Sequence, residues 1–212
     1  MGQLHLHRHI TAFTLASQCA QLGAHIGTTA CVSGLGYTVL RRFLYDASSA
    51  HRGRGSSSVL CWYEAANSVQ KADACLFAAI FMHLCERNPF TTQYTPGHAL
   101  IDSFRLYRQR CHRPPLVSLD RAFLLACHLK GIWLQRTPSL LLRTCIGCGS
   151  QYLAHCQDLI RRDAQCIFCQ LVKLYPRDPR IRRQFPRSPL PAGQHPLDAG
   201  PVAFGLPYSG QA

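Results

Sequence analysis

Acidic residues are scarce in this chain of 212 residues, where 10 Asp and Glu stand against 23 Lys and Arg and leave a formal charge of +13. Such an excess argues against a basic partner and predicts attraction to a polyanion, with nucleic acid as the leading candidate. Charge by itself leaves open a second interpretation, in which the surface is merely basic.

Long apolar runs are also missing. The longest, from Ala74 to Cys85, has the length of one core helix and is too short to span a bilayer. We therefore expect it to be buried on most sides, in the core or against a partner. No unbroken apolar run follows the basic N-terminal residues, and most of the twelve cysteines are scattered among apolar residues. These features predict a cytoplasmic protein without a disulfide framework.

The motifs of several enzyme classes are absent. The chain has no Gly-rich phosphate loop, no serine nucleophile elbow and no paired-carboxylate site. It also lacks the His-x-Glu that a zinc deaminase needs for its general acid and base. We therefore predict that the protein is not an enzyme.

Two Cys-x-x-Cys pairs are the strongest chemical signal. Cys145 and Cys148 form the first pair, and Cys166 and Cys169 form the second after seventeen intervening residues. This spacing is typical of a tetrahedral zinc site in which each pair supplies two thiolates. We predict one zinc ion per chain with a structural role, because four protein ligands leave no open position for water or substrate.

Other interpretations of these cysteines are weaker. Two disulfides would require an oxidising compartment, and Cys-x-x-Cys closes only a small strained ring. A thioredoxin-like redox site would have a single pair at a strand-to-helix junction. His155 and Cys156 lie between the two pairs and are alternative ligands, although four thiolates already complete the site.

The chain divides into four parts by composition. Residues 1–9 are expected to be a flexible leader, 10–137 a helical body, 138–175 the zinc-binding module, and 176–212 a basic and then Pro-rich tail that is largely disordered. The fold class is therefore mainly α, with a helix-turn-helix-like N-terminal segment and a small C-terminal zinc ribbon. Short strands at Leu140–Leu142 and Tyr152–Leu153 would flank the first cysteine pair.

Apolar periodicity and capping residues predict the helices. A helix over residues 10–26 would break at Gly27-Thr28, and another would cover Trp62 to Arg87 with one break. Thr95-Pro96 would begin a third, and Ser118 and Gly131 would bound a fourth.

The segment before residue 46 has the order of a helix-turn-helix. A short helical stretch over residues 29–32 leads to a turn at Ser33-Gly34, and a second helix would run from Leu35 to Asp46. Its expected buried residues are Val39, Leu40, Phe43 and Leu44. Candidate DNA contacts are the exposed basic residues of this helix, of the following loop and of the region after the cysteines: Arg41, Arg42, Arg52, Arg54, Lys173 and Arg177.

Several pieces in order resemble the FlhC family. They are Ala20–Ala24, Leu40–Tyr45, the aromatic pair Trp62-Tyr63, Ile101–Tyr107, Leu119–Leu125 and the two cysteine pairs, which together span roughly residues 10–180. The resemblance implies a non-enzymatic subunit that assembles with FlhD into a hetero-oligomer, binds promoter DNA and activates flagellar genes with RNA polymerase. It also implies zinc on Cys145, Cys148, Cys166 and Cys169.

An RNA-binding zinc-ribbon protein is the alternative function, because zinc knuckles and arginines serve RNA as well. The sequence gives no sign of a cluster of exposed aromatic side chains on which bases could stack, and this counts against RNA.

Overall fold

The computed structural model describes residues 2–45, 59–111, 114–157 and 166–186. This part of the chain is mainly helical and contains one two-stranded sheet, in agreement with the predicted mainly α class. The elements are α1 (Gly2–Gln21), α2 (Ile26–Ser33), α3 (Tyr37–Phe43), α4 (Val59–Ala65), α5 (Ser68–Arg87), α6 (Pro96–Arg110), α7 (Leu119–Lys130), β1 (Leu140–Thr144), β2 (Gln151–His155), α8 (Ile167–Leu174) and α9 (Pro179–Gln184).

Helix α1 extends further towards the N-terminus than predicted. It begins at Gly2, so residues 2–9, which we expected to form a leader, are helical. No proline interrupts these residues. Adding a turn to an existing helix costs much less free energy than nucleating a new one, and α1 is anchored further along by the buried Leu15 and Cys19.

The break after α1 occurs at Gly23 and not at the predicted Gly27. Gly23 has a φ of +78°, and the Ala24 N–H donates to the Cys19 carbonyl at 3.0 Å. This is a Schellman termination, which requires the left-handed backbone that glycine adopts without strain. Gly27 instead lies in the first turn of α2, where its N–H donates to Nδ1 of His25 at 3.2 Å.

Helix α3 is shorter and more exposed than predicted. It follows a turn in which Gly34, at a φ of +73°, ends α2. Leu40 is fully buried against Ala16 and Ile26, whereas Val39 and Phe43, which we expected in the core, are 38% and 60% exposed. A helix of seven residues is thus attached to the body mainly through one side chain.

Helix α5 is the centre of the core. As predicted, the chain breaks before it, and an Asn67 capping box begins the helix. Phe77 stacks on Phe81 with ring centroids 6.0 Å apart and meets Tyr107 edge-on at 6.2 Å. Because α5 packs against α6, α7, β2 and α8, its apolar surface is largely covered within the chain.

A buried carboxylate ties α5 to the loop before α7. Asp73 is 4% exposed and accepts hydrogen bonds from the Tyr107 hydroxyl at 2.7 Å and from the Leu116 N–H at 3.0 Å. The Tyr107 oxygen in turn accepts from the Val117 N–H at 3.3 Å. Burial and, second, the bond to Asp73 raise the pKa of Tyr107, so the phenol stays protonated and keeps donating.

The predicted start of α6 and both predicted ends of α7 are confirmed. Thr95 precedes α6, with Pro96 in its first turn. The Ser118 hydroxyl accepts from the Arg121 N–H at 3.3 Å, and Gly131 ends α7 at a φ of +65°. A Cβ at Gly131 would lie 2.9 Å from Cδ of Pro138, so close packing also requires glycine there.

The two strands form an antiparallel hairpin with Leu142 opposite Leu153. Leu140 and Leu153 are buried in the same hydrophobic core as residues of α5, together with Ile167 and Leu171 of α8. The body and the cysteine-bearing module therefore share one core. Among the described residues, none of the helices combines the length and apolar character that crossing a bilayer requires.

Residues 176–186 are the part of the predicted tail that the structure describes. They include α9, whose Ile181 is 4% exposed and belongs to the core. The Tyr175 hydroxyl donates to the Phe185 carbonyl at 3.0 Å and holds the end of this segment against α8. Residues 187–212, which contain most of the prolines of the tail, lie outside the described residues.

Candidate metal centre

The four predicted cysteine ligands lie together. The sulfur atoms of Cys145, Cys148, Cys166 and Cys169 are all within 4.8 Å of one another. The distances are 3.8 Å between the sulfurs of Cys145 and Cys169 and 3.4 Å between those of Cys148 and Cys166. Four sulfurs about 2.3 Å from a tetrahedral zinc ion would be about 3.8 Å apart. The cluster could therefore hold a metal ion and is compatible with zinc.

The turn between the strands positions the first pair. The Cys145 N–H donates to the Ser150 carbonyl at 2.9 Å, and the Gly149 N–H donates back to the Cys145 carbonyl at 2.8 Å. Gly149 has a φ of +70°, as its predicted place in a tight knuckle requires. The turn thereby directs two sulfurs to one side of the hairpin.

The N-terminus of α8 positions the second pair. Cys166 is the residue before the helix and is fully buried, and its sulfur accepts the Cys169 N–H at 3.3 Å. The first N–H groups of a helix carry partial positive charge, which favours thiolate sulfur at this position. The knuckle and the helix end thus converge on one point from two sides.

The four thiols differ in acidity. Backbone N–H donation, from Cys148 above all, lowers the pKa of Cys145 to about 6, and bonds led by that of the Ser150 side chain lower the pKa of Cys148. Burial raises the pKa of Cys166, and hydrogen bonding with the Cys166 sulfur raises that of Cys169 to about 12. Four thiolates this close repel one another, so full ionisation requires a bound cation.

An all-sulfur donor set restricts which ions fit. Thiolates favour soft or borderline ions such as zinc, Cu(I) or the iron of iron–sulfur clusters. Four protein ligands at tetrahedral spacing favour a structural ion over a catalytic one. His155 and Cys156 lie outside the cluster: His155 faces Glu64 at 3.7 Å, and the Cys156 thiol donates to the Pro138 carbonyl at 3.7 Å.

A buried thiol that the sequence analysis did not single out anchors the centre to the body. The sulfur of Cys75 in α5 accepts the Leu153 N–H at 3.3 Å, and the Tyr63 hydroxyl donates to the Leu153 carbonyl at 3.4 Å. Burial raises the pKa of Cys75, which keeps the thiol neutral. Cys75 looked like an ordinary core residue, and no local pattern pointed to a partner 78 residues away.

The candidate DNA contacts fall into two groups. Arg41 and Arg42 are exposed on α3, next to α2 and α1, whereas Lys173 and Arg177 are exposed on and just after α8, which packs on α5. The structure does not place these two groups on one helix face. Arg52 and Arg54 lie outside the described residues.

Exposed aromatic side chains are present, contrary to the sequence analysis. Tyr37 and Phe43 of α3 are 53% and 60% exposed, and the ring of Phe13 in α1 lies 5.9 Å from that of Phe43. The guanidinium of Arg42 lies 5.4 Å from the centroid of the Phe43 ring. This part of the surface therefore combines aromatic rings with positive charge.

Comparison with protein-family models gives no match to this chain, and comparison with curated proteins gives none either. The resemblance to the FlhC family accordingly rests on the sequence motifs alone.

Proposed function

We propose that this chain is a zinc-stabilised DNA-binding subunit that acts with FlhD subunits to activate flagellar gene transcription. In this proposal the protein is cytoplasmic, has no catalytic activity, binds promoter DNA and works with RNA polymerase. The motif resemblance supplies the identity of the partner and of the genes. The exposure of α3 is the observation that carries DNA binding.

Helix α3 has the properties expected of a recognition helix. It follows α2 after a glycine-containing turn, which is the element order of a helix-turn-helix. Leu40 anchors it, while Arg41 and Arg42 are exposed in its last turn. A helix held by one buried side chain presents most of its circumference to a partner, and a helix fits the major groove of DNA.

The metal centre supports a second contact surface. Lys173 lies four residues after Cys169 and so faces the same side of α8 as that ligand. Ile146 at the tip of the knuckle is 97% exposed, and a Cβ on the adjacent Gly147 would lie 3.9 Å from the Cys169 sulfur. Zinc would hold the knuckle against α8 and thereby fix Lys173 and Arg177 for phosphate contact.

Binding of single-stranded RNA is the second candidate, and the exposed rings of Phe13, Tyr37 and Phe43 favour it. Aromatic rings beside arginines are the usual platform for stacked, unpaired bases. DNA remains our first proposal because the order of α2, the turn and α3 is typical of duplex readers.

Binding to promoter duplex and to single-stranded RNA over a range of salt concentrations tests the proposal. We expect the complex with FlhD to prefer the duplex and its affinity to fall steeply with salt. Replacing Arg41 and Arg42 by Ala should lower the salt slope by about one per lost phosphate contact. Replacing Arg108 and Arg110, two exposed arginines of α6, removes the same charge and is the matched control. Preference for RNA, or equal effects of both pairs, would contradict the proposal.

A further inference from the structure

The outer face of α1 forms a second surface, which shares only the bordering Arg42 with the proposed DNA contacts. An open groove of about 700 Å³ runs along it, lined by residues of α1 and by Arg105 of α6. Ile10 and Phe13 occupy one part of the groove, and polar residues such as Ser17 and Gln21 occupy the rest. The groove thus combines an apolar part with a polar part.

The apolar part continues onto α3. Ile10 is 56% exposed, Phe13 37%, Val39 38% and Phe43 60%. The rings of Phe13 and Phe43 meet edge-on with centroids 5.9 Å apart. Ile10 and Phe13 are three residues apart on α1, and Val39 and Phe43 are four apart on α3, so each pair shares a helix face. These four side chains form one contiguous surface, which we name the outer apolar patch.

The outer apolar patch lies beside the side of α3 proposed to face DNA. With about 100° of rotation per residue, Val39 and Phe43 fall on the flank of Leu40 that is turned to α1. Arg41 falls on the other flank, and Arg42 points away from the body. One helix can therefore contact DNA and a second partner at the same time.

The charges around the patch select the partner. The Arg42 guanidinium lies 5.4 Å from the Phe43 centroid on one side, and Arg105 lines the groove on the other. Among the described residues, those that line the groove include no Asp or Glu. A partner that complements this surface must offer apolar side chains bordered by carboxylates. A second copy of this chain would place arginine opposite arginine, and nucleic acid would leave the aliphatic Ile10 and Val39 without an apolar partner.

We propose that the outer apolar patch and the adjoining groove bind an amphipathic helix of a partner protein, whose apolar stripe is bordered by Asp or Glu. A helix laid into an apolar groove buries its stripe every three to four residues, which matches the spacing on both α1 and α3. The assignment rests on the proposed function in one respect, because it takes the FlhD subunit as the protein that carries this helix.

The test measures the affinity of the purified full-length chain for the FlhD subunit of the same organism, without DNA. Ile10→Asp and Phe43→Asp should each raise the Kd at least about tenfold, as loss of an interface anchor does. Arg105→Glu should also weaken binding, and Arg105→Lys should largely restore it. Leu134→Asp is the matched control, since Leu134 is 56% exposed like Ile10 and lies outside the groove; its Kd should stay within about twofold.

The outcomes separate the two proposals. If FlhD binds the unaltered chain and the Ile10→Asp, Phe43→Asp and Arg105→Glu variants equally well, the docking surface is overturned and the proposed function stands. If FlhD does not bind the unaltered chain, both are overturned. Equal helix content and metal content in every variant exclude misfolding as the cause of weaker binding.

A photo-crosslinking residue at position 43, in the complex with FlhD and promoter DNA, provides a second measurement. A crosslink to an FlhD helix bordered by Asp or Glu supports the proposal. A crosslink to DNA or to a second copy of this chain overturns it, and so does a crosslink to an FlhD segment without carboxylates.

Discussion

The N–H of Leu153 donates a hydrogen bond to the sulfur of Cys75 at 3.3 Å, so a thiol in the middle of α5 holds the strand beside the candidate metal centre. Cys75 is fully buried, and Leu153 is 4% exposed. The carbonyl of Leu153 accepts a hydrogen bond from the Tyr63 hydroxyl at 3.4 Å. The position of the candidate metal centre on the body is thus set by core contacts as well as by its four cysteines.

Cys75→Ala should destabilise the protein beyond the loss of one buried sulfur. The substitution leaves the Leu153 N–H buried without its acceptor, which costs about 1–3 kcal/mol. Cys19→Ala also removes a fully buried sulfur, but this one lies in helix α1, and the variant serves as the control. Denaturant unfolding of both variants measures the difference, and equal losses would show that the bond to Leu153 contributes nothing.

Cys166→Ser should lower the zinc content well below one ion per chain and destabilise the protein, because Cys166 is both a predicted ligand and a buried residue. Elemental analysis of the purified protein gives the stoichiometry. Cys156→Ser should keep its full zinc content, since Cys156 lies outside the cluster. Unchanged zinc in the Cys166 variant would rule out this ligand set.

Stability should fall at alkaline pH in a way that depends on Cys19. Burial, with a smaller contribution from Asp120, raises the pKa of Cys19 from 9.0 to about 12. The folded chain therefore holds this proton where the unfolded chain has lost it. The protonated Cys19 thiol therefore contributes to the free energy of unfolding. This contribution is complete below pH 9 and is lost as the pH rises towards 12, with a slope of at most about 1.4 kcal/mol per pH unit.

Unfolding free energies of the wild type and of Cys19→Ala between pH 7 and pH 11 test whether Cys19 causes the loss of stability at alkaline pH. The wild type should lose more stability above pH 9 than the variant. Parallel curves would mean that Cys19 ionises equally in the folded and unfolded chains.

Tyr107→Phe should cost about 1–3 kcal/mol, because it removes the hydroxyl that donates to the buried Asp73 and accepts from the Val117 N–H. Tyr37→Phe, at an exposed position, should change stability by less than about 0.5 kcal/mol. Thermal or denaturant unfolding of the two variants measures the difference. Similar stabilities would show that the hydrogen bonds of Tyr107 with Asp73 and Val117 do not stabilise the fold.

Local chemistry explains the features that the sequence predicted correctly. Ser118 and Gly131 bound α7, and Thr95 precedes α6, because capping and left-handed backbone depend on adjacent residues. The convergence of the two cysteine pairs could be predicted because their spacing is typical of such sites.

Long-range packing explains the features that it did not. Gly23 and Gly27 are equally able to end a helix, and the choice depends on how α1 and α2 pack. Val39 and Phe43 have the periodicity of a buried face, but of these three neighbouring apolar residues only Leu40 is buried. The bond from Leu153 to Cys75 joins residues far apart in sequence, for which a single chain offers no pattern.

Footprinting of promoter DNA with this chain, with FlhD and with both together tests directly whether the two subunits bind the promoter jointly. We predict protection only when both subunits are present, and loss of that protection when Arg41 and Arg42 are both replaced by Ala. Absence of protection with both unaltered subunits, or protection that persists in the doubly substituted chain, would contradict it.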